Sequence, residues 1–146
     1  MRFVIDEEVF AAKELFSKYT DQIDFIQFSS REKYFDSFSD FDLALDSFPV
    51  NSTIPTLEAL YNNCPVITLK GEQEYSKIGK SILTTIGHEE LISYNKEDFI
   101  RNINELLNDK KRLENYHKNL RQDLENSYIM NYKDFTTDLE KLFLNL

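Results

Sequence analysis

The chain has 146 residues, of which 41% are hydrophobic and 14% aromatic, and its formal net charge is −9. This length and composition fit one domain with a packed core, and they exclude global disorder. The acidic balance argues against a nucleic-acid backbone as partner, because such binding depends on Lys and Arg displacing counterions. A single bound nucleotide stays possible, since it needs only local hydrogen-bond donors.

Short apolar runs alternate with helical patterns over the first part of the chain. Strands are predicted at residues 2–5, 23–28, 42–46 and 65–69, and helices at 7–19, 29–38, 55–62 and 75–86. Ser29 or Ser30 is suited to cap the second helix, and Pro55 stands near the first position of the third. Gly87 is expected to end the fourth helix.

The alternation is predicted to stop after Gly87, where Leu91 and Ile92 form only a short apolar piece. Three amphipathic helices then follow over residues 95–146. Their apolar stripes are expected in the core: Phe99, Ile103, Leu106 and Leu107; Leu113, Tyr116, Leu120 and Leu124; Phe135, Leu139, Leu142 and Phe143. We therefore predict an α/β fold, a parallel sheet covered by helices with a helical carboxyl-terminal extension, in a single domain over 1–146.

The single cysteine, Cys64, excludes a disulfide framework and a cysteine-based zinc site, and it suits a reducing, cytoplasmic setting. It is expected to lie buried at the start of a strand. No charged-then-apolar leader follows Met1, and no apolar run approaches the ~20 residues that cross a bilayer. His88 and His117 lack a second ligand at metal-binding spacing, so both are expected at the surface and no metal is expected. Three glycines are too few for a glycine-rich dinucleotide loop.

In parallel sheets, ligands bind beyond the carboxyl ends of the strands, where helices begin. Three predicted loops have that position. They are residues 29–31, 48–56 and 70–72.

Each loop residue with binding chemistry also has a plain structural explanation. Ser52 and Thr53 precede a helix, so they either hold an anion such as phosphate or only cap the helix. Glu58, one turn later, either accepts hydrogen bonds from ribose hydroxyls or faces solvent. Tyr34 either stacks on a base or is half-buried, and Arg31 either reaches a ribose or phosphate or lies at the surface.

The run DLALDSFPVNSTIPTLEALYNNCPVITLKGEQEYSKIGKSILTTIGHEELIS, residues 42–93, carries several ordered motifs. The pieces are 42–51, Glu58-Ala59-Leu60, Pro65-Val66-Ile67-Thr68, Gly71-Glu72, Ser76-Lys77-Ile78-Gly79 and Glu90-Leu91-Ile92. They resemble the carboxyl-terminal catalytic region of the O-linked N-acetylglucosamine transferase family, its SPINDLY-like branch included. The resemblance extends from about residue 23 to the final helix.

The resemblance implies a GT-B glycosyltransferase, in which the carboxyl-terminal, Rossmann-like half holds a nucleotide-sugar donor such as a UDP-sugar, without a metal. It also implies a protein or glycan acceptor. The family roles carry over as follows: Ser29 near the uracil, Arg31 near the ribose, Tyr34 on the base, Ser52, Thr53 and Thr56 in the diphosphate segment, and Glu58 on the ribose.

The sequence departs from the family pattern at several of these positions. The family has glycine where Ser52 stands, threonines at Ile54 and Pro55, an arginine at Ser37 and a glycine at Asn63. Pro55 removes an N–H donor from a helix start meant for phosphate. Each lost charge-assisted contact costs about 1.5–3 kcal/mol, so these changes are expected to weaken donor binding or alter donor choice.

The chain also begins at what resembles the second strand of the family's carboxyl-terminal half. The first strand, a diphosphate-contacting lysine and the whole amino-terminal half have no counterpart in it. A fragment, a split gene product whose second chain supplies the missing half, or a decayed copy would each explain this. Two functional interpretations stay open: the donor-binding part of a glycosyltransferase, for which no general base can be named, or a non-catalytic, degenerate interaction module.

Overall fold

The computed structural model describes residues 3–6, 16, 22–26 and 29–145 of the chain. These residues belong to two compact units, 1–37 and 38–146. The predicted helix at 7–19 lies outside the described residues, apart from Phe16.

The first unit contains a pair of parallel strands and one helix. β1 (Phe3–Asp6) and β2 (Ile23–Ile26) pair along their whole length, which confirms both predicted strands. α1 (Arg31–Ser37) follows, and the Ser30 hydroxyl accepts the Lys33 N–H at 3.2 Å. Ser30, and not Ser29, is therefore the residue that caps this helix.

The second unit is built on a three-stranded parallel sheet. β3 (Ala44–Leu45), β4 (Val66–Leu69) and β5 (Ile92–Ser93) lie in that order, with Ala44 opposite Val66 and Thr68 opposite Ile92. Every residue of β4 is buried, as expected for a central strand covered on both faces. Cys64 is fully buried just before β4, as predicted, and burial raises the pKa of its thiol to about 12.

Two strand predictions need correction. The alternation does not stop at Gly87, because Ile92 and Ser93 form a fifth parallel strand whose Ser93 carbonyl accepts the Lys70 N–H at 2.9 Å. Two residues are too few to show the periodicity of a strand. They can be recognised as a strand only from their pairing with the edge of β4. β3 is shorter than the predicted 42–46, although the Asp46 N–H still bonds to the Ile67 carbonyl at 3.0 Å.

Five helices complete the second unit. They are α2 (Ile54–Tyr61), α3 (Ile78–Thr85), α4 (Lys96–Asn108), α5 (Lys110–Glu125) and α6 (Tyr132–Leu144). The helix predicted at 75–86 is divided, because Glu74–Ser76 form a 3₁₀ turn before α3. Gly87 follows α3 with a φ of +81°, the left-handed conformation that glycine adopts without strain.

The stripes of α4 and α5 face the core, as predicted. Ile103, Leu106, Leu113, Tyr116, Leu120 and Leu124 are all buried, whereas Phe99 and Leu107 of the predicted stripe are only half-buried. Full burial of one leucine is worth roughly 1.5–3 kcal/mol, so these two helices contribute strongly to stability.

The α6 stripe contradicts the expectation that it lies in the core. Phe135, Leu142 and Phe143 are 61–68% exposed, and no residue of α6 is buried. The helix itself forms as predicted, because its periodicity and its N-terminal cap depend only on local sequence. The Asn131 side chain caps it by accepting the Asp134 N–H at 3.3 Å. The predicted α/β class, with a helical carboxyl-terminal extension, is confirmed by this arrangement.

Candidate nucleotide-binding site

The second unit places one predicted loop where ligands of parallel sheets bind. Residues 46–53 connect the carboxyl end of β3 to the start of α2, and β4 runs parallel to β3. The loop therefore lies at the edge where strands end and helices begin.

Thr53 occupies the cap position of α2 but does not cap it. It is exposed, its backbone is helical, and its side chain makes no capping hydrogen bond. The hydroxyl therefore stays available to a ligand, which favours the anion interpretation for Thr53 over the capping one. Thr56 and Glu58 lie within α2, Thr56 buried and Glu58 half-buried.

Ser52 is held by its neighbours. Its N–H donates to Asp46 Oδ1 at 2.8 Å, and its hydroxyl lies 2.9 Å from the hydroxyl of Ser47. The Ser52 N–H is thus already paired with a carboxylate, and Pro55 has no N–H. The first-turn donors suited to an anion are therefore the N–H groups of Ile54 and Thr56, since the first N–H groups of a helix have no partner within it.

Sequence reasoning missed the buried polar cluster that fixes this loop. Asp46, at the end of β3, accepts the Thr68 hydroxyl at 2.7 Å as well as the Ser52 N–H. Burial raises the pKa of Asp46, and these two hydrogen bonds oppose the shift by favouring its ionised form. Gly79 of α3 packs directly on Asp46 and Thr68, and a Cβ there would meet both side chains.

Asn51 joins the same loop to the segment before α3. Its N–H donates to the Tyr75 carbonyl at 3.0 Å, and its Nδ2 donates to the Ser47 carbonyl at 3.0 Å. Its Oδ1 accepts the Gly79 N–H at 3.3 Å. Two members of the cluster have a local sequence signal, since Thr68 is a threonine inside an apolar strand and Gly79 is a glycine inside a helical pattern, but neither signal identifies the partner residue.

The loop after β4 is equally constrained. The Gly71 N–H donates to the Ser76 carbonyl at 3.0 Å, and a Cβ on Gly71 would collide with the Ser76 side chain. Lys70 lies 3.7 Å from Glu72 in this loop. Both loops of the second unit are therefore shaped before any ligand arrives.

The other predicted contacts belong to the first unit. Ser29 is exposed just before α1, and Arg31 and Tyr34 lie on α1. The Arg31 guanidinium lies 5.2 Å from the centroid of the Phe35 ring, and the Tyr34 ring lies 5.5 Å from the same ring. Ser37 donates its hydroxyl to the Tyr34 carbonyl at 2.6 Å.

Asn63 departs from the family pattern for a local reason. Its φ is +60°, the left-handed region that glycine and asparagine enter most readily. Its Oδ1 also accepts the Arg121 N–H at 2.9 Å. It follows the carboxyl end of α2, whereas Thr53 precedes the amino end. Asn63 therefore keeps a left-handed turn after α2, and its effect on donor binding stays a prediction.

His88 is not the surface residue that was expected. Its ring nitrogens lie 3.1 Å from Glu90 and 3.0 Å from Asp123, and its side chain is 15% exposed. The hydrogen bond to Glu90 raises the pKa of His88 against the opposing effect of burial. His117 is half-buried.

The same carboxylate links His88 to α5. Burial opposes ionisation of Glu90, but hydrogen bonds from His88 and Tyr116 outweigh it and lower the Glu90 pKa to about 2. Burial and the bond to Glu90 raise the pKa of Tyr116 to about 12. This cluster ties the turn after α3 to α5.

Three further observations bear on function. Within the described parts of the chain, no group of three or more His, Cys, Asp or Glu side chains is placed to hold a metal ion. A cavity of about 300 Å³ on α3 is lined by Lys77, Lys80, Ser81, Thr84 and Thr85, and no predicted donor-site residue lines it. No helix among residues 29–145 has the length and apolar character to cross a membrane.

The chain is similar to known glycosyltransferases over most of its length. The model of the family described as "Glycosyl transferase family 41" matches residues 2–139. A probable UDP-N-acetylglucosamine–peptide N-acetylglucosaminyltransferase SPINDLY of Arabidopsis thaliana is 29% identical over 89% of this chain and 14% of its own length. The protein of that name from Eustoma exaltatum is 32% identical over 75% of this chain and 12% of its own length.

A solved structure agrees. The K341M mutant of the Thermobaculum terrenum O-GlcNAc transferase superposes with a TM-score of 0.79 at 26% identity, over 93% of this chain and 26% of that one. The chain thus spans about an eighth of the two plant relatives and about a quarter of the solved one. The fold of the described units and the family match over residues 2–139 agree, and the chain belongs to glycosyl transferase family 41.

Proposed function

We propose that this chain supplies the donor-binding part of a glycosyltransferase. The donor is a UDP-sugar, and a hexose or N-acetylhexosamine passes from it to a hydroxyl of a protein or glycan. The observation that carries the proposal is Thr53 at the start of α2, beside the carboxyl ends of β3 and β4. Its side chain makes no capping hydrogen bond to the helix. Family membership supports the proposal, because the plant relatives are named as enzymes that transfer N-acetylglucosamine from its UDP-sugar to peptide.

The chemistry assigned to the chain is charge stabilisation. The Thr53 hydroxyl and the first-turn N–H groups of α2 hold the diphosphate, which gains negative charge as its bond to the sugar breaks. Glu58 accepts hydrogen bonds from the ribose hydroxyls.

The remaining parts of the reaction lie with another segment or chain. The general base and the acceptor site are assigned to parts of the longer relatives that this chain does not span. The assignment includes a reducing, cytoplasmic setting, which suits the single buried Cys64.

Titration of the purified chain with UDP tests this proposal. We expect micromolar binding and a rise in melting temperature. Thr53→Val and Glu58→Gln should each weaken binding, since loss of a charge-assisted hydrogen bond costs about 1.5–3 kcal/mol, or roughly 10- to 150-fold. Thr137→Val, on the exposed α6, is the matched control and should leave binding unchanged.

A second candidate function is a non-catalytic interaction module. Two observations favour it: the Ser52 N–H is occupied by Asp46, and Pro55 lies in the first turn of α2. A folded chain that fails to bind UDP even at millimolar concentration would refute donor binding and leave this second function.

A further inference from the structure

The His88 ring is held between two carboxylates from different parts of the second unit. Its Nδ1 lies 3.1 Å from Glu90 Oε1, and its Nε2 lies 3.0 Å from Asp123 Oδ2. Glu90 stands in the 3₁₀ turn just before β5, whereas Asp123 lies on α5, 35 positions from His88. The His88 side chain is mostly buried, so solvent screens these contacts less than it screens surface pairs. The ring therefore joins two elements that are distant in the chain.

The groups in contact with His88 come from its own turn, from α3 and from α5. They are the Glu90 carboxylate, the Leu83 carbonyl, which accepts the His88 N–H at 2.9 Å, the Asp123 carboxylate and the Tyr116 ring, which meets the imidazole edge-on at 5.4 Å between centroids. Arg112 completes the cluster, because its Nε donates to the Tyr116 hydroxyl at 3.2 Å. The two groups that bond to the ring nitrogens are both carboxylates, which favours the protonated imidazole.

The number of protons on the ring decides whether both carboxylate contacts can exist. A neutral imidazole carries one N–H and one lone pair, whereas an imidazolium carries two N–H groups, and an ionised carboxylate only accepts hydrogen bonds. Both contacts of His88 are therefore hydrogen bonds only while the ring is positively charged. Loss of the charge sets a nitrogen lone pair against a carboxylate oxygen, and one of the two contacts has to break.

The surrounding contacts indicate that the contact to Asp123 is the one that breaks. Glu90 is two residues from His88 in the chain, and Glu90 Oε1 also accepts the Tyr116 hydroxyl. The Glu90 carboxylate is therefore held in place from a second side. The Asp123 carboxylate is 41% exposed, so water can replace His88 as its partner. A neutral ring accordingly keeps its proton on Nδ1, facing Glu90, and releases Asp123.

Release of Asp123 frees one side of α5 and leaves the rest of the helix attached. Leu120 and Leu124 are fully buried, so the core side of the helix stays packed. The Arg121 N–H donates to Asn63 Oδ1 at 2.9 Å, which ties the same part of α5 to the turn after α2. The change is therefore a local opening of the last turn of α5, the kind of motion that occurs without global unfolding.

From the two carboxylates on one ring and the distant elements that they join, we propose that His88 is a pH-sensitive latch that fastens α5 to the turn after α3. The hydrogen bond to Glu90 raises the pKa of His88, so the latch is closed below about pH 6.5 and opens as the pH rises through that raised pKa. Histidine is the side chain suited to this task, since its charge changes near neutral pH. The latch is independent of donor binding.

NMR of the histidine ring nitrogens in the ¹⁵N-labelled full chain, between about pH 5.5 and pH 9, tests the proposal. The chain has two histidines, so His117→Gln assigns the His88 signals. We expect two protonated nitrogens at low pH, and a proton on Nδ1 alone above the midpoint. Asp123→Asn should lower the midpoint by about 0.5 pH unit or more, because one of the two carboxylates loses its charge. Glu114→Gln, which removes an exposed carboxylate of α5 that pairs with Lys118, is the matched control and should leave the midpoint unchanged.

Hydrogen exchange measures whether the latch moves α5. After correction for intrinsic rates, the amides in the last turn of α5 should lose roughly two- to fivefold protection between about pH 6 and pH 8.5, and those of α4 should change less. His88→Gln should abolish this step, and Asp123→Asn, which leaves the ring in place, should reduce it. A midpoint that Asp123→Asn does not lower, a neutral ring with its proton on Nε2, or protection of α5 that does not depend on pH would overturn the proposal.

Discussion

Replacing Gly79 with alanine tests the polar cluster that shapes the 46–53 loop. The added Cβ would collide with Asp46 Oδ2 and Thr68 Oγ1 and lie 2.9 Å from Thr68 Cβ. Overpacking a core costs about 1–3 kcal/mol, and weakening the hydroxyl–carboxylate bond costs about 1.5–3 kcal/mol. The higher helix propensity of alanine returns up to about 1 kcal/mol. The expected net loss in free energy of unfolding is therefore about 1.5–6 kcal/mol.

Urea unfolding followed by circular dichroism measures this loss as a lower midpoint at an unchanged slope. Ser81→Ala, at an exposed position of the same helix, is the control and should change stability by less than about 0.5 kcal/mol. In an Asp46→Ala background, the cost of Gly79→Ala should fall, because one of the colliding groups is gone. A Gly79→Ala variant as stable as the unaltered chain would refute the role assigned to this contact.

Three further predictions concern the rest of the second unit, and urea unfolding checks each of them. Leu120→Ala should cost about 2–5 kcal/mol because its side chain is fully buried. Leu142→Ala, measured at low protein concentration, should cost less than about 0.5 kcal/mol because its side chain is exposed. Equal losses of stability in the two variants would contradict this difference in burial. Asn63→Ala should destabilise more than Asn63→Gly, since the left-handed conformation costs alanine about 1–2 kcal/mol, and the reverse order would refute that explanation. Because the pKa of His88 is raised in the folded chain, its contribution to stability is complete below about pH 6.5 and declines as the pH rises through that raised pKa. The pKa of Glu90 is lowered, so its contribution to stability is complete above about pH 4.5 and declines as the pH falls towards 2. Midpoints at about pH 5.5 and about pH 8.5 should therefore differ less in His88→Gln than in the unaltered chain, and an equal difference would exclude His88 as the cause.

Local pattern predicted most of the fold. The apolar run that became β4 and the three-to-four spacing of α4 and α5 are strong signals, because burial on two faces or on one stripe leaves a distinct period. β5 was missed because its two residues carry no period, and its identity depends on the β4 edge that it covers. The exposure of the α6 stripe was missed for a related reason, since period shows that a helix is amphipathic but not what covers its apolar face.

The candidate site was predictable where it depends on chain order and not where it depends on distant contacts. The position of Thr53 before α2 follows from a strand, a loop and a helix in sequence. The hydrogen bond of Thr68 to Asp46 joins residues 22 positions apart, and the bond of Asn51 to Gly79 joins residues 28 apart. Such pairs have no local signature, so the cluster that fixes the loop emerged only from the structure.

The central claim is that α2 begins at a diphosphate-binding loop, and a ¹⁵N-labelled sample titrated with UDP tests it most directly. We expect the largest and saturable changes in amide chemical shift at residues 52–58, with uridine alone producing smaller changes there than UDP. Changes confined to the α3 cavity lined by Lys77 and Lys80, or none at millimolar UDP in a folded chain, would contradict the assignment.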